Sequence, residues 1–389
     1  MKCIELFSGA GGLALGLDKA GFEHSAVVEW NKDACETIRT NQKRGFTAVK
    51  NWPLHEMDVR QFDYAPLADR VELVAGGPPC QPFSLGGKHR AYLDERDMFP
   101  EAVRALREVR PKAFLFENVR GLTRPTFAKY FEYIILQFTY PDLIPKKREK
   151  WLDHLSRLEK YHTQGKVSGL NYRVVFRVLN ASDFGIPQRR ERVIMVGFRS
   201  DLGVQWSFPE PTHSHQALMY DQWITGDYWE RHEITKRRRP PTPPEFIKRL
   251  EYWQKKFEPL NTKPWLTVRD AIGDLPDPTR KNSPPDILNH HFMPGAKVYP
   301  GHTGSPLDLP AKTLKAGDHG VPGGENMLVL PDGKVRYFTV RESARLQTFP
   351  DEYALEGSWS EAMRQIGNAV PVNLGEVVAT SVLKHLKNK

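Results

Sequence analysis

Short apolar runs alternate with segments of helical periodicity over the first 120 residues. The runs are nearly continuous in apolar character, the pattern of strands buried on both faces, and they lie at 2–8, 24–30, 71–75 and 112–117. Leu13, Leu17 and Ala20 recur at helical spacing before Gly21, and further helices are predicted at 32–44, with Asn31 as its cap, and at 98–109. This alternation predicts an α/β fold with a doubly wound, mostly parallel, Rossmann-like sheet.

The alternation stops near Tyr140. Residues 141–170 form a charged insert in which Trp151, Leu155 and Leu158 share one helical face, and this predicts an amphipathic helix packed on the surface. Strand-like runs then return at 172–179 and 193–198.

The composition changes again from about Trp206, where prolines and glycines become frequent. We interpret 201–337 as a second, smaller, loop- and strand-rich domain, between a catalytic domain at 1–200 and a C-terminal segment at 338–389 that returns to it. That last segment should contain a helix at 341–347 capped by Thr339 and a final helix near 372–387.

The chain has 389 residues, of which 40% are hydrophobic and 26% are charged, as in soluble globular proteins. No apolar run approaches the roughly 20 residues of a membrane span, and the N-terminus offers no signal-peptide pattern. We therefore expect a cytoplasmic protein without a membrane partner. The three cysteines include no CxxC pair, so neither a disulfide framework nor a metal site is expected. The net charge of +9 suggests a polyanionic partner.

The turn after the first predicted strand is rich in glycine. Gly9 and Gly11 fit a dinucleotide-binding fingerprint, and Glu29 follows Gly9 by 20 residues, where an acidic side chain can accept from ribose hydroxyls. Trp30 offers an aromatic face to an adenine, and Asp58 could accept from its amino group. This pattern alone does not separate a nicotinamide cofactor from another adenosyl cofactor, and Glu29 and Asp58 could also be ordinary surface carboxylates.

The stretch Gly76 to Ser84 (GGPPCQPFS) holds one thiol, Cys80, in a stiff loop after a predicted strand. Ligands of open α/β sheets bind at this carboxyl edge. Glu117 ends a later strand and should lie at the same edge. A thiol and a carboxyl group in one pocket are suited to attack on an electron-poor ring. The thiolate adds to the ring, and the acid protonates a ring nitrogen. The run 188–192 (QRRER) supplies cations nearby, unless it is a salt-bridged surface strand.

Together these residues resemble the DNA (cytosine-5) methyltransferases of bacterial restriction-modification systems. The motifs that carry the resemblance occur in the family's order: Phe7 to Gly12, Glu29-Trp30, Asp58-Val59, Pro79-Cys80-Gln81, Glu117-Asn118-Val119, Gln188 to Arg192, Arg341 to Pro350 and Gln365 to Pro371. The likeness covers the catalytic domain and the final helices. Between about 200 and 335, where the family keeps its target-recognition domain, it is a likeness of position and composition only.

The resemblance implies S-adenosylmethionine as methyl donor and double-stranded DNA as partner. The Cys80 thiolate would attack C6 of a cytosine flipped out of the helix, while Glu117 hydrogen-bonds N3 and the Pro79 carbonyl accepts from the N4 amino group. Arg192 would hold the base, with Arg190 close by. The resemblance assigns cofactor contacts to Phe7, Gly9, Gly11, Gly12, Glu29, Trp30, Asp58, Val59 and Asn368.

Other residues are candidates for DNA contacts. The segment from Ser84 to Asp97 should close over the flipped base, with Lys88 and Arg90 placed for phosphate. In the second domain, Lys312, Lys315 and His319 are candidates for reading base edges, although a structural turn is an equal alternative. The basic run 236–239 should contact phosphate.

Three other functions compete with this interpretation. A transfer-RNA cytosine methyltransferase shares the motifs but lacks a large recognition domain. A DNA-binding protein that has lost catalysis would not need Cys80, Glu117 and Arg192. A nicotinamide dehydrogenase would not use the Pro-Pro-Cys loop. The family usually acts as a monomer, and a partner restriction endonuclease is expected but not identified by the sequence.

Overall fold

The computed structural model describes residues 1–79, 97–165, 168–255, 261–280, 287–298, 303–316 and 324–388. Cys80, Ser84, Lys88, Arg90 and His319 therefore lie outside the described residues, and their predicted roles rest on the sequence.

A seven-stranded sheet forms the centre of the molecule. Its strands are β1 (Lys2–Leu6), β2 (Glu23–Glu29), β3 (Leu54–Glu56), β4 (Leu73–Gly76), β5 (Ala113–Val119), β6 (Tyr172–Asn180) and β7 (Glu191–Arg199). They are ordered β3-β2-β1-β4-β5-β7-β6, and all neighbours are parallel except those of β7. The strand order changes direction between the neighbouring strands β1 and β4. In open α/β sheets, ligands bind in the crevice at the carboxyl ends of the two strands where this change occurs. The predicted mostly parallel, doubly wound sheet is confirmed.

Helices cover both faces of this sheet. Those of the first half are α1 (Gly12–Ala20), α2 (Lys32–Lys43), α3 (Phe99–Val109), α4 (Ala128–Thr139) and α5 (Trp151–Thr163). Asn31 caps α2 by accepting from the Ala34 N–H, and Gly21 ends α1 with φ +98°. Leu155 and Leu158 of α5 are buried in the apolar cluster that α4 and the sheet also share. The amphipathic helix predicted in the insert is confirmed.

Short elements make up most of the segment after β7. They are the strands β8 (His213–Ser214), β9 (Lys263–Pro264), β10 (Ser305–Pro306), β11 (Met327–Val329) and β12 (Val335–Tyr337), and the helices α6 (His215–Tyr220), α7 (Asp227–Arg231), α8 (Pro244–Lys255) and α9 (Val268–Ile272). The sequence pattern did not predict these helices. The predicted domain boundaries at 200 and 337 stay predictions. In the described structure Val268, Ile272 and Leu314 of this segment share one apolar cluster with Ala14 and Phe349.

Three helices complete the fold, namely α10 (Val340–Leu346), α11 (Trp359–Asn368) and α12 (Val372–Lys387). Thr339 caps α10 in a reciprocal capping box with Glu342, as its position predicts. The stretch 359–387 is long and apolar enough for a membrane span, but 67% of its most apolar window is buried in the fold. It therefore belongs to the core, where α12 packs against α1.

Candidate active site

The first glycine-rich turn leaves the end of β1 with a tightly folded backbone. Phe7, Gly9 and Gly11 have positive φ values of 57°, 53° and 81°. A side chain on Gly12 would lie 2.4 Å from the Val370 carbonyl, so this position requires glycine. The space above Gly9 is open, because a Cβ there would meet no atom within 4 Å. A ligand can therefore approach the backbone of this turn.

Glu29 joins this turn to the end of β2. Its Oε2 accepts from the Gly9 N–H at 2.7 Å, and its Oε1 accepts from the N–H groups of Trp30 and Asn31 at 3.0 and 2.8 Å. An ionised carboxylate has about four acceptor positions, so it can take a further donor such as a ribose hydroxyl. The Trp30 side chain beside it is 69% exposed, which leaves its ring face free for a planar ligand group.

Asp58 and Val59 follow β3 at the same edge of the sheet. The Asp58 carboxylate caps the turn Val59–Gln61 and accepts from the Arg60 Nε at 3.0 Å, and this arginine holds the carboxyl's pKa below its usual range. Val59 is buried, and its carbonyl accepts from Arg104 at 2.7 Å. Asp58 is thus an anionic acceptor, whereas Val59 contributes shape.

Ser8 provides a further sign of a ligand at this edge. Its hydroxyl is buried yet has no hydrogen-bond partner in the described structure. Buried polar atoms nearly always have a hydrogen-bond partner, so the Ser8 hydroxyl is available to a polar group of a bound ligand. Together with the open space at Gly9, the Glu29 carboxylate and the exposed Trp30 ring, it fits an adenosyl cofactor with a ribose and a charged tail. Asn368 is exposed at the end of α11.

The loop that leads to Cys80 begins beside Glu117. Gly76 pairs with Phe116 in neighbouring parallel strands, and a Cβ on Gly77 would lie 3.2 Å from Glu117 Oε2. The Asn118 side chain donates to the Pro78 carbonyl at 2.9 Å. No role was predicted for Asn118 from the sequence, although it stands directly after Glu117. It fastens the loop to the strand that carries the carboxyl group.

Pro79 is exposed at the last described position before the thiol. Its carbonyl accepts from the Met98 N–H at 3.3 Å, a long bond that leaves a second lone pair available. It can still accept from an amino group in the crevice.

Glu117 forms a nearly buried ion pair with Arg192. The Arg192 Nε lies 2.7 Å from Glu117 Oε1, and the two side chains are only 10% and 9% exposed. Burial raises the pKa of Glu117, and the charge of Arg192 opposes this shift. A carboxyl group with a raised pKa can hold a proton or share it with a ring nitrogen. The pair therefore places a carboxyl group that can exchange a proton beside a cation at this edge of the sheet.

Arg190 lies two residues from Arg192 but faces a different environment. Its side chain is fully buried, and its guanidinium donates to the carbonyls of Leu314, Gly367 and Ala369 at 3.1, 2.7 and 2.9 Å. Burial lowers its pKa. These contacts favour a positioning role, since all three of its acceptors are backbone atoms of other segments.

Two of the three thiols are poor nucleophiles. Cys3 and Cys35 are buried and free of disulfides, and burial raises the pKa of both, that of Cys35 to about 12. A reactive cysteine needs a thiolate. Cys80 is the thiol that these observations leave for nucleophilic chemistry.

Comparison with known proteins decides the family. The model of the C-5 cytosine-specific DNA methylases matches residues 1–140 and 153–384. The chain is 32% identical to the type II methyltransferase M.Eco47II of Escherichia coli, over 99% of this chain and 79% of that protein. It is 30% identical to M.NgoMIV of Neisseria gonorrhoeae, over 99% and 98%. The chain belongs to the C-5 cytosine-specific DNA methylase family. The predicted family and enzyme class, a DNA (cytosine-5-)-methyltransferase of the restriction-modification type, are confirmed.

Solved structures support the fold of this methylase. The S. pombe Dnmt2 methyltransferase aligns with a TM-score of 0.55 at 18% identity, covering 100% of this chain and 99% of the other. A DNA modification methyltransferase encoded in an E. coli prophage aligns with a TM-score of 0.54 at 19% identity, covering 100% and 99%.

The segment with the predicted base-reading residues is joined to the strand of Arg192. Ala311 exchanges backbone hydrogen bonds with Pro187 and Arg189 at 2.9 and 2.8 Å, and Leu314 N–H donates to the Gln188 side chain at 3.0 Å. Lys312 Nζ donates to the Thr303 hydroxyl, and Lys315 pairs with Glu325 at 2.8 Å. Of the basic run 236–239, residues 236–238 are exposed, and Arg239 donates to the Ile234 carbonyl.

Proposed function

We propose that this methylase transfers a methyl group from S-adenosylmethionine to C5 of a cytosine flipped out of double-stranded DNA, through a covalent adduct with Cys80. The observation that carries the proposal is the buried Glu117–Arg192 pair, 2.7 Å apart, beside the loop that leads to Cys80. Family membership supports the reaction class.

The chemistry divides among a few side chains. Cytosine C5 is a weak nucleophile, and addition of the Cys80 thiolate to C6 forms a C–S bond that places enamine electron density on C5. The addition shifts an electron pair from the C4–N3 double bond onto N3, where a proton from Glu117 takes it up, while Arg192 stabilises the charge and holds the base. After C5 has gained the methyl group, solvent takes the C5 proton, and the electron pair of that C–H bond re-forms the C5–C6 double bond as the Cys80 thiolate leaves. N3 returns its proton to Glu117.

The Pro79 carbonyl fixes the base by accepting from its N4 amino group. This contact would distinguish cytosine from a pyrimidine that carries an oxygen at C4, because two acceptors would then face each other. Asn118 keeps the Pro78 carbonyl, and with it the loop, at the correct distance from Glu117.

S-adenosylmethionine supplies an electrophilic methyl group when it is bound. The residues proposed to hold it are Glu29 toward the ribose, Trp30 and Asp58 toward the adenine, and Phe7, Gly9, Gly11, Gly12, Val59 and Asn368 around it. The open space at Gly9 and the unpartnered Ser8 hydroxyl support this assignment.

DNA provides the polyanionic partner suggested by the net charge of +9. Lys312, Lys315 and His319 are the proposed base-reading residues, and the basic run 236–239 together with Ser84, Lys88 and Arg90 would contact the backbone. We infer that the enzyme acts as a cytoplasmic monomer and protects host DNA against a partner restriction endonuclease.

The first experiment measures transfer of labelled methyl groups to duplex DNA and, in parallel, to transfer RNA, followed by bisulfite sequencing of the DNA. We expect 5-methylcytosine at one short sequence motif. Labelling of transfer RNA alone would replace the proposal by an RNA methyltransferase, and DNA binding without labelling of either would indicate a binding protein.

The thiol is tested by the Cys80→Ser variant, with Cys3→Ala as a matched control. We expect Cys80→Ser to lose methyl transfer while it still binds DNA, because the hydroxyl is a far weaker nucleophile. Cys3→Ala changes a buried thiol in the core and should retain activity. Full activity of Cys80→Ser would refute the covalent mechanism.

A further inference from the structure

An insertion separates the two stretches that match the family. Residues 141–152 lie between the matched ranges 1–140 and 153–384. Within it, the 146–150 turn consists of Lys146, Lys147, Arg148, Glu149 and Lys150, and its four cationic residues are exposed. The described structure contains no ion pair for any of these four cations.

The carboxylate of the turn, Glu149, forms hydrogen bonds that hold the turn in place. Glu149 accepts from the Arg157 guanidinium at 3.0 and 2.8 Å and from the Lys146 N–H at 2.7 Å. These bonds hold the pKa of Glu149 at about 2, so the carboxylate stays ionised and paired. Arg157 also donates to the Ile144 carbonyl at 2.7 Å. The turn is thus fixed to α5, with its cations directed to solvent.

Buried contacts fasten the insertion to α4. The fully buried His154 hydrogen-bonds the Tyr133 hydroxyl at 2.8 Å and the Leu143 carbonyl at 2.7 Å. Tyr140, at the end of α4, hydrogen-bonds His162, near the end of α5, at 2.7 Å. The beginnings of the two helices contact each other, and so do their ends, so α4 and α5 run parallel. The chain after Leu143 therefore runs back toward the beginning of α4 before α5 starts.

The beginning of α4 lies at the edge of the sheet that carries the active site. Trp151 packs against Tyr130 with ring centroids 5.6 Å apart, and the Tyr130 hydroxyl donates to Asp97. The next residue, Met98, donates its N–H to the Pro79 carbonyl. A short series of contacts thus leads from the 146–150 turn to the residue before Cys80.

We propose that the 146–150 turn binds the sugar–phosphate backbone of the DNA beside the flipped base. The inference rests on the proposed function and adds a contact surface to it. Fixed and exposed cations at the edge of a base pocket are complementary to a row of phosphates. Specific protein–DNA interfaces bury about 1,000–2,500 Å² of protein surface, so they include surface outside the base pocket itself. Phosphate contacts of this kind position the enzyme and do not select a sequence.

The test compares Lys146→Gln/Lys147→Gln with the matched control Lys384→Gln/Lys387→Gln. The control pair is equally exposed but lies at the end of α12, where His385 packs near Phe198 at the opposite edge of the sheet. Binding to a duplex that contains the methylated motif is measured by fluorescence anisotropy over a range of salt concentrations. Each phosphate contact contributes about 0.9 to the slope of log Kd against log salt.

We expect the slope to fall by roughly 1 to 2 in the 146/147 variant and to stay unchanged in the control. Lys146→Glu/Lys147→Glu should weaken binding further, because it adds repulsion. The kcat at saturating DNA should stay at the wild-type value, since the turn does not contact the reacting atoms.

A wild-type slope in a variant with a wild-type unfolding midpoint would overturn the inference and leave the proposed function intact. An equal loss in the control would also overturn it, because the effect would then follow net charge alone. Failure of the wild-type enzyme to methylate any DNA that it binds would refute the proposed function, while the slopes would still test the turn.

Discussion

The effect of replacing Arg190 by methionine distinguishes a positioning role of this arginine from a catalytic one. The methionine keeps most of the unbranched stem but removes the guanidinium, which donates to carbonyls of Leu314, Gly367 and Ala369 at 3.1, 2.7 and 2.9 Å. These acceptors belong to the segment that carries the proposed base-reading residues, to the last turn of α11 and to the residue that follows it. The variant therefore disconnects the Arg192 strand from two other parts of the molecule.

The magnitude follows from two opposing effects. Hydrogen bonds from a charged donor contribute about 1.5–3 kcal/mol each, so three of them together would exceed 4 kcal/mol. Burying the charge of a fully enclosed guanidinium costs several kcal/mol, and the methionine removes that cost. The three carbonyls, however, are left without this partner. We expect the free energy of unfolding to fall by about 2–4 kcal/mol.

The assay is urea unfolding of Arg190→Met beside Arg189→Met, whose wild-type side chain is exposed and whose variant should stay within about 0.5 kcal/mol of the wild type. Activity is measured on both at saturating cofactor. An Arg190→Met enzyme with wild-type stability and no methyl transfer would refute the positioning role and support a direct contact with the base.

Two further predictions concern neighbouring buried groups. Asn118→Ala should lower the free energy of unfolding by about 1–3 kcal/mol, because it leaves the Pro78 carbonyl unpaired, and it should lower kcat more than it raises the KM for DNA. Wild-type kcat in Asn118→Asp, which also lacks the donor, would contradict this reasoning. Burial raises the pKa of Glu5 above the unfolded value, so its contribution to stability is greatest at low pH and is lost as pH rises above about 4.5. Glu5→Gln should therefore be more stable than the wild type at pH 8, by a difference that vanishes toward acid pH. A less stable Glu5→Gln at pH 8 would show instead that Glu5 is ionised beside His24, 3.9 Å away.

Local signals in the sequence were sufficient for the helix ends. Asn31 and Thr339 were predicted as caps, and both accept from the backbone N–H three residues later. Helix α4 was not predicted, because its sequence AKYFEYIILQFT is apolar around most of its circumference and rich in aromatic and β-branched residues. Such a segment has no single apolar face, since it is covered by the sheet on one side and by α5 on the other.

The parts of the active site whose positions depend on strand order could be predicted from the sequence. Glu117 and the loop toward Cys80 end neighbouring strands, so their approach followed from the doubly wound pattern. The position of Arg190 did not follow, because its acceptors lie more than 120 residues away in sequence. No local pattern distinguishes an arginine that is directed at a ligand from one that is buried among carbonyls.

The contacts of the 187–190 stretch suggest how recognition can vary while the chemistry is kept. This stretch holds the segment with the proposed base-reading residues through the backbone N–H and carbonyl of Ala311 and through the backbone N–H and carbonyl of Leu314. The side chain of Lys312 takes no part in these bonds. Side chains that read bases can therefore change without altering the backbone path that supports Arg192 beside Glu117. A substitution that changes the path itself would disturb both recognition and the base pocket.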